Sequence, residues 1–94
     1  MMTKAMWHDT VIAESNETVV VEGNHYFPAA SVNKDFLEAS EHTSVCGWKG
    51  TAHYYHVRVG DARNDNAAWY YPQCSDRAKQ IEGYVAFWRG VEVT

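Results

Sequence analysis

The residues with the most reactive side chains lie close together, between positions 44 and 57. The segment SVCGWKGTAHYYHV holds a thiol at Cys46, an ammonium at Lys49 and imidazoles at His53 and His56. A nearby cation favours the thiolate, which is the nucleophilic form of cysteine. Cys46 and Lys49 are therefore the candidate catalytic residues. The segment lacks the local signature of known cysteine nucleophiles, so a buried, unreactive Cys46 is the competing interpretation.

Aromatic residues near this segment are candidate walls of a ligand pocket. Together with Gly50, which would let backbone N–H groups approach a ligand, the candidate binding residues are Trp48, Gly50, Tyr54, Trp69 and Tyr70. Aromatic faces stack on planar molecules, Trp88 could form a further wall, and Lys49 would attract a negative group. The expected ligand is thus a small anionic or planar molecule. The alternative is that these rings only fill the core, as aromatic residues at strand spacing often do.

Metal and nucleotide-phosphate sites are disfavoured by spacing. His42, Cys46, His53 and Cys74 have zinc-binding chemistry, but structural zinc sites usually bring ligands in close pairs such as Cys-x2-Cys. The chain has no such pair, so we predict no metal and no cofactor. The stretch GWKGT lacks the P-loop spacing between its first Gly and Gly-Lys, and an aromatic strand follows it where a P-loop requires a helix.

Composition and charge restrict the classes of partner. The 94 residues suffice for one domain spanning 1–94. The net charge of −4, without a basic run, predicts no nucleic-acid partner. The longest aliphatic stretch, 19–21, is too short for a bilayer, so we expect no membrane partner. The N-terminus MMTKAMWHDT has no apolar signal region, which favours a soluble cytoplasmic protein with reduced cysteines.

Short β-type runs separated by turn residues dominate the chain. The clearest strands are predicted at 51–59, 67–71 and 84–88, with a tight turn at Gly23-Asn24 and a polar loop at 63–66. Short helices are expected within 33–40 and 75–82, the second capped by Ser75. This pattern predicts a mainly β fold: a compact antiparallel sheet, barrel-like or folded on itself, with two short helices.

The strand at 51–59 is expected to bury one of its two faces. Its period of two places His53, Tyr55, Val57 and Val59 on the more apolar face, which we predict to face the core. Its other face would then carry Tyr54.

Five segments, in order along the chain, resemble a known family. They are 11–15 (VIAES), 21–28 (VEGNHYFP), 43–52 (TSVCGWKGTA), 68–72 (AWYYP) and 81–87 (IEGYVAF). They resemble the small bacterial and fungal family catalogued as domain of unknown function 427, which also carries a nucleotidyltransferase-like label. The resemblance implies a compact antiparallel β domain with short helices. It implies little chemistry, because Gly47 replaces the proline common after the motif cysteine and no strand carries an Asp-x-Asp pair.

Two functions remain open from the sequence. The first is a small-ligand pocket where the loop from Cys46 to Lys49 meets the strand at 67–71, with enzymatic activity left undecided. The alternative is a non-catalytic binding or assembly module, able to form a homodimer, in which the thiol and the lysine serve packing.

Overall fold

The chain folds into nine strands and three short helical turns in a computed structural model that describes residues 2–94. The strands are β1 (Thr3–Trp7), β2 (Thr10–Ser15), β3 (Val19–Val21), β4 (Asn24–Tyr26), β5 (Leu37–Cys46), β6 (Gly50–Val59), β7 (Ala62–Tyr70), β8 (Val85–Phe87) and β9 (Glu92–Val93). The helical turns are all of the 3-10 type, at Ala29–Ser31, Lys34–Phe36 and Asp76–Ile81. The mainly β prediction is confirmed, but the two predicted helices are short 3-10 segments: Lys34–Phe36 is one turn, and Asp76–Ile81 is kinked at Ala78.

Antiparallel pairing organises the strands into three sheets. Their strand orders are β2-β1-β9, β3-β4 and β5-β6-β7-β8. Within residues 2–94 the sheets do not close into a barrel, so the folded-sheet alternative describes the fold. In the same residues, no helix is both long enough and apolar enough to cross a membrane.

The four-stranded sheet differs from the prediction at two segments. Residues 37–40, expected to be helical, and residues 41–46, for which no element was predicted, form an edge strand, β5, which pairs with β6 on both sides of an irregularity between Ala39 and Thr43. Residues 63–66, expected to be a loop, lie inside β7, where Arg63 and Asn64 pair with Arg58 and Val57. In both segments long-range pairing overrides weak local β propensity.

The turn between β3 and β4 lies one residue earlier than predicted. Glu22 and Gly23 adopt φ values of 54° and 80°, and Asn24 already belongs to β4. Two consecutive positive φ values are typical of the two-residue turns that join antiparallel strands. This register places Glu22, and not Asn24, at the tip of the hairpin.

Apolar side chains pack on both faces of the four-stranded sheet. The first cluster includes Phe27, Val57 and Phe87, and the second includes Tyr26, Tyr54, Trp69 and Ile81. The prediction of one buried face on β6 is therefore only half right. Val57 lies in the first cluster as expected, but Tyr54 is buried in the second.

An irregularity in the β6–β7 pairing leaves the alternation along β6 intact. It lies between Tyr55 and Val57, where one strand carries extra residues relative to its partner. The alternation predicted for residues 51–59 holds across it, because Tyr55, Val57 and Val59 all pack in the first cluster.

Candidate functional site

A cavity of about 240 Å³ opens where the second apolar cluster reaches the surface. It is lined by one cation, one amide and five aromatic side chains: Lys49, Asn24, Tyr26, Tyr54, Trp69, Tyr71 and Trp88. We call this cavity the aromatic hollow.

Strand pairing brings the deeper aromatic walls together. Tyr54 on β6 lies opposite Trp69 on β7. The indole N–H of Trp69 donates a 3.2 Å hydrogen bond to the Tyr26 hydroxyl, and the two rings meet edge to face at 6.1 Å. Edge-to-face contacts are a favoured geometry for aromatic pairs. These walls are thus fixed by backbone register and by a side-chain hydrogen bond.

Trp88 forms the exposed rim of the aromatic hollow. It follows β8, is 41% exposed, and lies 5.5 Å from the Trp69 ring and 6.5 Å from the Tyr54 ring. Its indole N–H donates a 2.6 Å hydrogen bond to the backbone carbonyl of Asn66. The guanidinium of Arg89 lies 4.7 Å from the centre of the Trp88 ring. The rim is therefore held in place although much of it contacts solvent.

Asn66 connects this rim to two other strands. It adopts a φ of 55°, a conformation that asparagine tolerates better than most residues. Its backbone N–H donates to His56 Nδ1 at 3.0 Å, and its side-chain oxygen accepts from the Ser40 hydroxyl at 2.6 Å. The carbonyl that receives the Trp88 indole is thus oriented by contacts to β6 and to β5.

Lys49 supplies the positive charge in the wall. The short loop between β5 and β6 is fastened to the segment before the last 3-10 turn, since the Ser75 N–H donates to the Lys49 carbonyl at 3.1 Å. The Ser75 hydroxyl donates to the Trp48 carbonyl and does not cap that turn, contrary to the prediction. The Lys49 side chain is only 7% exposed. The loop thus directs the ammonium inward.

The Lys49 ammonium is paired with Glu22 and lies among aromatic rings. Its Nζ forms an ion pair with a Glu22 carboxylate oxygen and lies 4.9 Å and 5.8 Å from the ring centres of Trp48 and Tyr71. Burial by itself would lower the pKa of Lys49, but the hydrogen bond to Glu22 and the neighbouring tyrosines raise it overall. Lys49 is consequently a cation at neutral pH.

Two tyrosine hydroxyls of the aromatic hollow, those of Tyr26 and Tyr71, remain protonated at neutral pH. Burial raises the pKa of Tyr71 to about 12 and also raises the pKa of Tyr26. The Tyr54 hydroxyl forms a 2.8 Å hydrogen bond with the Ser44 hydroxyl. The wall can therefore offer neutral hydroxyls to a ligand, beside the single ammonium.

Cys46 is not among the residues that line the aromatic hollow. It ends β5, pairs with Gly50, is half-buried and packs against the second cluster. Burial would raise the pKa of the Cys46 thiol, but hydrogen bonds from the backbone N–H groups of Trp48 and Lys49, with the Lys49 charge, lower it overall. Burial raises the pKa of the other thiol, Cys74. Cys46 is thus the more easily ionised of the two thiols.

The structure brings some predicted site residues together and separates others. Lys49, Tyr54 and Trp69 line the aromatic hollow. Trp48 is half-buried beside the Lys49 ammonium, and Gly50 packs closely against the backbone of the loop before the last 3-10 turn. Tyr70 lies on the opposite face of the sheet, where its ring stacks on Tyr55 at 4.9 Å.

Four residues important to this geometry were not among the candidate binding residues, although Trp88 was considered as a further wall residue. They are Glu22, Tyr26, Tyr71 and Trp88. Strand alternation could have identified Tyr71, because residues two apart share a face and Trp69 was already a candidate. The same argument would have placed Tyr70 on the other face. The ion pair of Glu22 with Lys49 spans 27 positions, and no local pattern indicates it.

Metal ligands do not converge in the part of the chain that the structure describes. Residues 2–94 contain no group of three or more His, Cys, Asp or Glu side chains placed to hold a metal ion.

Comparison with known families gives one match. The profile described as Domain of unknown function (DUF427), and named NTP_transf_9, matches residues 2–94. Comparison with functionally curated proteins gives no significant match. The family match spans nearly the whole chain and includes all five segments on which the resemblance was based. This chain belongs to the DUF427 family.

Proposed function

We propose that this domain binds a small planar molecule in the aromatic hollow. The observation that carries the proposal is the position of Trp88, whose indole is 41% exposed and yet fixed by a hydrogen bond to the Asn66 carbonyl. A large aromatic side chain at a surface is often part of a binding site when it borders a concave apolar region. Here Trp88 borders a cavity whose other walls are mainly aromatic.

The size of the cavity restricts the ligand. Its volume of about 240 Å³ is below the roughly 300–1,000 Å³ of pockets for drug-sized ligands. One ring or two fused rings would fit, and a complete nucleoside triphosphate would extend well beyond it. Stacking on an aromatic side chain is worth about 1–3 kcal/mol per ring, by analogy with nucleic-acid bases.

The proposal concerns binding and leaves catalysis aside. Cys46 is the predicted nucleophile, but it is not among the residues that line the aromatic hollow. Lys49 does line it and is paired with a carboxylate. This arrangement is suited to holding a ligand, and the proposal assigns no role to the thiol.

The test is a titration with small heteroaromatic compounds observed by protein NMR. Indole, quinoline and nicotinamide are suitable neutral probes, and the indole N–H signals of Trp69 and Trp88 report on the site. We expect saturable shifts of both signals. Trp88→Ala should weaken binding by about tenfold or more, from the lost stacking contact. Val20→Ala, which also truncates an exposed apolar side chain but outside the aromatic hollow, should leave binding unchanged.

The proposal would be refuted by a wild-type protein that shows no saturable shift with any planar probe, whether neutral or acidic. It would also be refuted if Trp88→Ala and Val20→Ala had equal effects on affinity.

A homodimeric assembly module is the second candidate, and one observation favours it. β5 is the edge strand of the four-stranded sheet, and its Val45 side chain is 81% exposed. Exposed edge strands can pair with a strand of another molecule. Light scattering coupled to size-exclusion chromatography would measure the mass. If the measured mass stays that of a monomer at loading concentrations from about 1 to about 100 μM, a dimer with a Kd in or below that range is excluded.

A further inference from the structure

We propose that the ligand of the aromatic hollow is a planar acid whose carboxylate binds the Lys49 ammonium in place of Glu22. This inference rests on the proposed function, and it specifies the chemical class of the ligand. It also assigns Glu22 as an internal competitor for the site.

The first step of the argument is the burial of Lys49. Its side chain is 7% exposed and forms part of the wall of the aromatic hollow. A buried ammonium requires a partner, because removing the charge from water is costly unless it is paired. An ammonium also has three N–H donors, so Lys49 can hold more than one acceptor as ligands exchange.

The second step is the contrasting exposure of Glu22. Its side chain is 55% exposed and projects from the tip of the β3–β4 hairpin, and it is not among the residues lining the aromatic hollow. If an incoming carboxylate takes its place, Glu22 returns to water at small cost. The exchange therefore replaces one anion at a buried cation with another, and stacking on the aromatic walls supplies the net gain.

The third step is the sign of the surrounding charge. The guanidinium of Arg89 lies 4.7 Å from the centre of the Trp88 ring, and that of Arg77 lies 5.8 Å from the centre of the Trp48 ring. Arg89 thus lies at the rim of the aromatic hollow and Arg77 beside the ring that contacts Lys49, in a chain whose net charge is −4. Like charges would oppose a cationic ligand, although aromatic walls alone could attract one. The local charge thus favours an anion.

The experiment uses pairs of probes that share a ring and differ in charge. Nicotinate and nicotinamide form one pair, and indole-2-carboxylate and indole-2-carboxamide form the other. For wild-type protein at neutral pH and low salt, we expect the acid of each pair to bind about tenfold more tightly than its amide, because a charge-assisted hydrogen bond is stronger than a neutral one.

Glu22→Gln should change the two kinds of probe differently. Removing the competing carboxylate should raise the affinity for the acids by about five- to tenfold and leave that for the amides within about twofold. Lys49→Met should abolish the preference for acids. The matched control is Glu14→Gln, which removes the acid of an ion pair with Lys4 at 3.5 Å, where the lysine side chain is 46% exposed and not 7% as for Lys49. It should change neither affinity.

Each outcome separates the inference from the proposed function. If acids and amides bind equally to wild type and to Glu22→Gln, the inference is wrong and the proposed function stands. If neither probe of either pair binds, the proposed function fails and the inference with it. Should Glu22→Gln not fold, Glu22→Asp, whose shorter side chain reaches less far, gives the same comparison: an unchanged acid-to-amide ratio would also overturn the inference.

Discussion

Removing either partner of the ion pair between Lys49 and Glu22 should destabilise the domain by very different amounts. Glu22→Gln leaves a buried ammonium without its carboxylate, while Lys49→Met leaves a carboxylate that is 55% exposed and readily hydrated. Breaking a fully buried ion pair costs about 3–5 kcal/mol, and a hydrogen bond to a charged group contributes about 1.5–3 kcal/mol. Because only one partner is buried and glutamine still accepts a hydrogen bond, we expect Glu22→Gln to cost about 2 kcal/mol.

Lys49→Met should lower the free energy of unfolding by less than about 1 kcal/mol. Methionine keeps most of the aliphatic stem that packs beside Trp48 and Tyr71, and no charge is left buried. For a domain of this size, 1 kcal/mol corresponds to about 4–8 °C in Tm. Glu22→Gln should therefore lower Tm by about 8–16 °C, and Lys49→Met by less than about 8 °C.

Urea unfolding followed by far-UV circular dichroism measures these differences without depending on the fluorescence of Trp48, which contacts Lys49. The slopes of the unfolding free energy against urea should agree between variants, so that changes in midpoint report stability. The double variant should resemble Lys49→Met alone, because without the ammonium Glu22 has little to stabilise. If Lys49→Met proves as destabilising as Glu22→Gln, the burial of the charge is not the dominant cost and the reasoning fails.

Three further predictions concern the loop, the thiols and the alkaline limit of stability. Gly50→Ala should lower the free energy of unfolding by about 2 kcal/mol or more, since φ is 130° and the new Cβ would lie 2.7 Å from a backbone oxygen. The control Gly47→Ala, with no atom within 4 Å of its Cβ, should be near neutral, and equal losses measured by urea unfolding would contradict the prediction. Iodoacetamide at about pH 8 should label Cys46 before Cys74, because the pKa of Cys46 is lowered and that of Cys74 is raised. Mass spectrometry of the Cys46→Ser and Cys74→Ser variants measures the two labelling rates, and faster labelling of Cys74 would refute this order. Burial raises the pKa of Tyr71 from 10.0 to about 12, so the contribution of this tyrosine to stability is complete below pH 10 and declines as pH rises through 12. The Tyr71→Phe variant should therefore lose less stability than wild type over that pH range, and an equal loss in urea unfolding would count against the prediction.

Much of the fold could be predicted because its signals are local. The strand β6 has β-branched and aromatic residues and ends at Gly60-Asp61. In contrast, β5 has a polar, exposed middle, SEHTS, without the alternation that marks a half-buried strand. It is a strand because β6 pairs with it, and that pairing depends on residues distant in sequence. Local patterns cannot show which polar segment will lie at a sheet edge.

The candidate site was predictable to a similar extent. Lys49, Tyr54 and Trp69 were identified from residue type, and the aromatic hollow contains all three. Tyr70 was grouped with them because it is adjacent in sequence, although adjacent strand residues point to opposite faces. Glu22 and Trp88 reach the site through tertiary contacts with Lys49 and Asn66. Contacts of that kind depend on the assembled sheet and leave no pattern in neighbouring residues.

The hydrogen bonds of Asn66 make the rim of the aromatic hollow sensitive to changes made far from it. One residue links the edge strand through Ser40, the central strand through His56, and the rim through Trp88. A sequence change at the sheet edge can therefore reposition the indole without touching the cavity. If the aromatic hollow binds a ligand as we propose, divergent relatives could adjust ligand preference through this junction while every wall residue stays the same, and comparing wall residues alone would miss such differences in specificity.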